Sequence, residues 1–152
     1  MNQEKLTIPG VSISRQNSMQ MLRQIVGMTG KGSTLTIFSY SVTDGWLRQL
    51  MKLREEMEIE RIALVLDRDV MIRHREKLLQ IQQVADEAWL TDSHAKVYFS
   101  QGKTRTIALI TSANATNNYR NECYYATDRP EETGQIETDI RGILAASDRI
   151  AP

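Results

Sequence analysis

Residues 61 to 67, "RIALVLD", form a nearly unbroken apolar run opened by an arginine and closed by an aspartate. At this length an uninterrupted run reads as a strand covered on both faces, and such a strand needs helices above and below its sheet. The flanking sequence supplies them. From Ser18 the run "SMQMLRQIVGM" sets Met21, Leu22, Ile25 and Val26 at helical spacing behind a serine cap, and "TGKGS" ends it. "STLTIFSYSV" (33–42) is rich in β-branched and aromatic residues and reads as a strand. "DGWLRQLMKLREEME" puts Trp46, Leu47, Leu50 and Met51 on one helical face. A further helix is expected over 70–89, from Leu78, Ile81, Ala85 and Ala88. "AKVYFS", "TRTIALIT" and "ECYYAT" then read as three strands, the first two joined by the turn "SQGKT", before a last helix through Ile136, Ile140, Ile143 and Leu144. Alternating strands and helices followed by a hairpin predict an α/β fold, a mixed sheet flanked by helices.

The chain has 152 residues, the size of one ordinary domain, so 1–152 is expected to be a single unit with residues 1–16 as a candidate flexible N-terminal segment. Nineteen basic residues balance nineteen acidic ones, so any polyanion site has to be local. The single cysteine, Cys123, excludes an internal disulfide framework, and His74, His94 and Cys123 have no metal-ligand spacing; neither metal nor cofactor is expected. No stretch reaches the roughly 18 apolar residues of a membrane helix and the start lacks a signal-peptide core, which reads as a soluble, cytoplasmic protein away from membranes. "GMTGKGS" lacks the spacing of a phosphate-binding loop and reads as a helix-to-strand connection.

The stretch from 92 to 125, "DSHAKVYFSQGKTRTIALITSANATNNYRNECYY", departs from pure packing logic. If it is strand throughout, His94, Lys96 and Tyr98 point one way and Ala95, Val97 and Phe99 the other. An edge strand with one face in water would account for His94 and Lys96 as surface groups. The buried-looking "TIALIT", however, ends abruptly in "SANATNN", which places Asn114 at a strand end, where sheets present functional groups. Glu122 opens the next strand, and a carboxylate there could orient an imidazole and stabilise its charged form. Taken singly, Asn114 also reads as a turn former and Glu122 as a solvated strand-end charge.

Taken together, "HAKVYF", "ITSAN" and "NECYY" resemble the catalytic motif of the phospholipase D superfamily: His-x-Lys, a Ser-x-Asn turn, then Asn-Glu. "STLTIFSYSVTDGWLRQLMKLREE" and "IERIALVLDRDV" resemble that family's first strand and helix and its second strand. The family's usual aspartate, five residues after the lysine, is Gln101 here, and the glycine that often precedes the Ser-x-Asn turn is Thr111. The resemblance implies a phospholipase D-like sandwich with one motif per chain. It also implies a homodimer that joins two copies of His94 through the active-site face, since His74 sits apart on a charged helix start. In that scheme one His94 forms a phosphohistidine and the other acts as acid and base. Lys96 and Asn114 hold the phosphoryl oxygens, Glu122 fixes the imidazole tautomer and Ser112 adds a hydrogen bond.

Small single-motif members of that family resemble nucleases, so the implied substrate is a nucleic-acid phosphodiester, with DNA placed before RNA. Lys103 and Arg105 on the hairpin turn and Arg120 before Glu122 are candidate backbone contacts, as are Arg68, Arg73, Arg75 and Lys77; each also reads as an ordinary solvated charge. The expectation is a metal-independent endonuclease. A catalytically silent nucleic-acid-binding module of the same fold, and a phosphodiesterase acting on lipid or small diesters, are the alternatives.

Overall fold

A computed structural model describes residues 5–151. In chain order the elements are β1 (Gly10–Ser14), α1 (Ser18–Thr29), β2 (Thr34–Ser39), α2 (Asp44–Met57), β3 (Arg61–Asp67), α3 (Arg68–Arg73), α4 (Leu78–Val84), β4 (Glu87–Thr91), β5 (Val97–Gln101), β6 (Thr106–Thr111), β7 (Glu122–Thr127), α5 (Pro130–Ala145) and β8 (Asp148–Ala151). The strands make one sheet in the order β1-β7-β6-β5-β2-β3-β4-β8. Strands β2, β3 and β4 run parallel to one another, and the remaining pairings are antiparallel.

The apolar run that opened the sequence reading is β3, with parallel neighbours on both sides and every residue after Arg61 buried. Its side chains alternate between two cores, as the period of two requires. Leu64 joins Ile37, Tyr98, Leu109 and Tyr124 under Leu22, Ile25, Trp46, Leu47 and Leu50 of α1 and α2. Val65 joins Phe38, Phe99 and Ala108 under Ile140 of α5. The mixed sheet with helices on both faces is the α/β architecture expected. Between α1 and β2, Gly30 and Gly32 take positive φ of 91° and 78°, a backbone region open to glycine at little steric cost, so "GMTGKGS" is a connection.

Three expectations change. The helix over 70–89 divides into α3, a 3-10 turn at 75–77, α4, and the strand β4. The Asp67 side chain starts α3 by accepting the amides of Asp69 and Val70 at 3.0 and 3.1 Å, and Ala88 sits beside Leu64 in the ladder rather than on a helix face. Gly10–Ser14, inside the segment read as a candidate flexible N-terminus, is an edge strand paired with β7; residues 1–4 lie outside the described residues. The cap of α1 is Asn17, not Ser18. Its side chain accepts the Gln20 amide at 2.9 Å while the Gln20 side chain accepts the Asn17 amide at 2.8 Å, a reciprocal capping box. This leaves the Ser18 hydroxyl available for another role.

Candidate active site

Because β5 runs antiparallel to β2 and β6, and β7 antiparallel to β6, the last residue of β2, the entry to β5, the last residue of β6 and the first of β7 all fall at one end of the sheet. Those four places are Ser39, the His94–Lys96 segment, Thr111 with the loop 112–121, and Glu122. The topology therefore gathers places that lie as far apart in sequence as Ser39 and Glu122.

His94 and Lys96 lie in the connection before β5, not within the strand. His94 is exposed and Lys96 half-buried, and Ala95 is exposed instead of packing beside Val97 and Phe99. The reason is the short ladder: pairing with β2 starts only at Val97, opposite Phe38. The Thr111 amide then fixes the segment by donating to the Lys96 carbonyl at 3.1 Å. The Lys96 ammonium donates to the His94 carbonyl at 2.9 Å, folding the lysine back along its own loop. The His94 imidazole stacks on the Tyr40 ring, with centroids 4.4 Å apart and planes 20° from parallel.

Asn114 is held from several directions. Its side-chain oxygen accepts from the Tyr40 amide at 3.1 Å and the Ser41 amide at 3.4 Å, while the Ser39 hydroxyl, 3.3 Å away, gives its one proton to the Ser41 carbonyl at 2.5 Å. Its carbonyl accepts the Ser18 hydroxyl at 2.8 Å, and that hydroxyl accepts the Trp46 indole N–H at 3.0 Å. The next residue is pinned as well: the Ala115 amide donates to Ser39 Oγ at 2.8 Å, and the Ala115 carbonyl accepts the Thr43 amide at 3.1 Å. With two amide donors on Oδ1, the amide orientation is set and Nδ2 carries the protons left to offer. On the other side of the loop, the fully buried Tyr98 hydroxyl donates to the Ala113 carbonyl at 3.2 Å.

The Glu122 carboxylate accepts a short hydrogen bond from the Ser112 hydroxyl, which itself accepts the Cys123 amide at 3.0 Å. Among the described residues no hydrogen bond joins Glu122 to His94 of the same chain, and the Glu122 carboxylate bonds Ser112. Ser112, Asn114, Arg120 and Glu122 line one cavity of about 140 Å³ with Ser18, Ser41, Ala113, Thr116 and Asn118. His94 and Lys96 stand outside that lining and join it through Tyr40, whose ring touches His94 and whose amide holds Asn114.

Two candidate contacts do not gather here. Lys103 and Arg105 flank the β5–β6 turn, which register places at the far end of the hairpin from the Val97–Ile110 pair. Four strand steps separate the two ends, roughly 13 Å. Arg105 pairs with Asp128 at 3.0 Å, so both residues sit away from the site they were expected to flank. Among the helix-side cations, Arg68 bonds Asp148 and Lys77 donates to the Val42 carbonyl at 2.6 Å. His74 is exposed beside Glu76, with 3.4 Å between Nδ1 and the carboxylate. Tyr40, Ser39 and Ser18 escaped the sequence reading. The signal for Ser39 and Tyr40 was present in "FSYS", where polar residues end a buried strand as they do in "ITSAN".

No family model matches the sequence, and no curated protein does. Solved structures do. A phospholipase D family member, Nuc from Salmonella typhimurium, superimposes with a TM-score of 0.71 over 94% of this chain and 99% of its own, at 10% identity. NucT from Helicobacter pylori matches with a TM-score of 0.59, 12% identity, and 91% and 96% of the two chains covered. TrmBL2, an archaeal chromatin protein whose structure shows a mode of DNA binding, gives 0.59 at 8% identity over 97% of this chain and 56% of its own. The chain therefore has the phospholipase D fold. Nuc and NucT are similar to it over nearly their whole length.

Proposed function

We propose that the protein is a phosphodiesterase that hydrolyses nucleic-acid phosphodiester bonds, DNA before RNA, through a phosphohistidine at His94. The observation that carries this reading is the meeting at one sheet end of the His94–Lys96 segment with a cavity lined by Ser112, Asn114, Arg120 and Glu122. The neutral His94 ring attacks phosphorus, the phosphorus–oxygen bond to the leaving alkoxide breaks, and a phosphorus–nitrogen bond forms. His94 of the partner subunit gives its proton to the leaving oxygen, then takes one from water, which attacks phosphorus and frees His94. Lys96 and the Asn114 amide N–H groups balance the charge that builds on the non-bridging oxygens. The Ser112–Glu122 pair holds the wall of the site, and Arg120 grips the flanking backbone. The fold is that of Nuc and NucT, and the scheme routes no step through a metal or cofactor.

Each chain contributes one His94, so the second proton-transfer group comes from a homodimer. Val11, Ile13 and Ile110, exposed next to Ser112, offer apolar area for a second copy to bury. No helix among the described residues is long and apolar enough to cross a membrane. Acid quenching of the enzyme with an oligonucleotide, followed by peptide mass spectrometry, tests the reading. A phosphoryl adduct on the His94 peptide is expected, and its absence during active turnover would overturn the mechanism.

A further inference from the structure

We infer that Tyr40 is a positioning residue of the His94 imidazole, through the stack of the two rings; this rests on the reading of His94 as the nucleophile. A ring with one face in solvent and no partner rotates about χ1 and χ2, and a nucleophile must hold its lone pair on the line to phosphorus. Within the chain the Glu122 carboxylate bonds Ser112, and Lys96 turns to the His94 carbonyl and not to its ring. Among the described residues the recorded contact with the imidazole is the Tyr40 face, at 4.4 Å and 20°. Near-parallel stacking at this distance limits the imidazole to sliding in its own plane and leaves both ring nitrogens at the rim, free for phosphorus and for a proton acceptor.

Tyr40 is itself well fixed. It is half-buried and follows β2 directly, and its amide and that of Ser41 donate to the Asn114 oxygen. One residue thereby sets two groups that approach the same phosphate: its ring orients His94 and its amide orients Asn114. A side-chain substitution removes the first contact and leaves the second, since the amide belongs to the backbone. Tyr40→Leu thus reads the ring alone, and Tyr40→Phe, which keeps the ring, is the conservative rescue.

The experiment records kcat and KM on an oligonucleotide together with the His94 Cε1–H resonance by NMR, assigned by its loss in His94→Ala, in the full-length chain. In Tyr40→Leu, kcat is expected to fall about 10- to 100-fold with KM nearly unchanged, the scale of a small misplacement of a reacting group, and the resonance moves as the ring current is lost. Tyr40→Phe recovers both. An unmoved resonance in Tyr40→Leu would overturn the stack, and a moved resonance with unchanged kcat would overturn its positioning role. If the wild type proves inactive, the reading of function fails separately, while the resonance still decides whether Tyr40 holds the ring.

Discussion

The Asn114 side-chain oxygen and the Tyr40 amide are joined by a 3.1 Å hydrogen bond across 74 residues of sequence, and the His94 ring lies on the other side of Tyr40. This bond separates two roles that one residue plays. The oxygen holds the loop after β2, whereas the nitrogen is the donor that the proposed mechanism uses.

Asn114→Asp keeps the acceptor and loses the two N–H donors, so thermal stability is expected to stay close to wild type while kcat falls by 100-fold or so, the usual cost of a lost charge-stabilising donor. Asn114→Ala instead leaves the Tyr40 and Ser41 amides without their acceptor, costing about 1–3 kcal/mol and lowering Tm by several degrees in a domain of this size. Calorimetry beside an activity assay checks the contrast; equal loss of stability in both variants would contradict it.

Arg120 is exposed and lines the cavity beside Glu122. Its replacement by alanine should raise KM for an oligonucleotide, leave kcat nearly intact, and reduce the dependence of log affinity on log salt by about one phosphate contact. Lys103→Ala, on the opposite end of the hairpin, serves as the comparison and should change neither. A matched effect of the two substitutions would show that the substrate covers both ends of the sheet.

Alkaline pH probes the buried phenols below the site. Burial first, with the Tyr124 and Glu122 charges adding and the Ser18 hydrogen bond opposing, raises the Tyr98 hydroxyl well above its ordinary value of 10.0. Tyr124 is pushed up to about 12 by burial and then by Glu122, against a hydrogen bond from Thr111. A folded-state pKa above the unfolded one means that the contribution is complete below pH 10 and is lost as pH rises toward the folded value. Stability should therefore decline above about pH 10, with Tyr98 and Tyr124 absorbing as phenolates only as the protein unfolds. Ultraviolet titration against circular dichroism measures this; free titration of all five tyrosines in the folded state would contradict it.

Pairing of two copies is read by analytical ultracentrifugation across a dilution series. A dimer is expected, and charging the apolar patch with Ile13→Glu should dissociate it and lower kcat together, because each site then lacks its second histidine. Full activity in a strictly monomeric Ile13→Glu protein would remove the shared site from the mechanism.

The central strand was plain in "RIALVLD" because a strand paired on both edges and covered on both faces has no polar position to blur its pattern. The same logic misled over 70–89, where Leu78, Ile81 and Ala85 do share helical spacing but Ala88 opens a strand; short buried strands and helices carry similar apolar runs. The edge strands β1 and β8 were missed for the opposite reason, since each has a single pairing partner and "GVSIS" exposes Val11 and Ile13. Within the site, Ser112, Asn114 and Glu122 were legible as residue types at strand ends. What each one touches was not, because Tyr40 and Ser18 reach them across long sequence separations that no local pattern encodes.

The account stands most directly on cleavage of a labelled DNA oligonucleotide in excess chelator by the wild type and by folded His94→Ala. It predicts cleavage by the wild type and a loss of at least about four orders of magnitude without His94, the scale set by removal of a nucleophile. Undiminished cleavage by His94→Ala, confirmed free of contaminating nuclease, would contradict it.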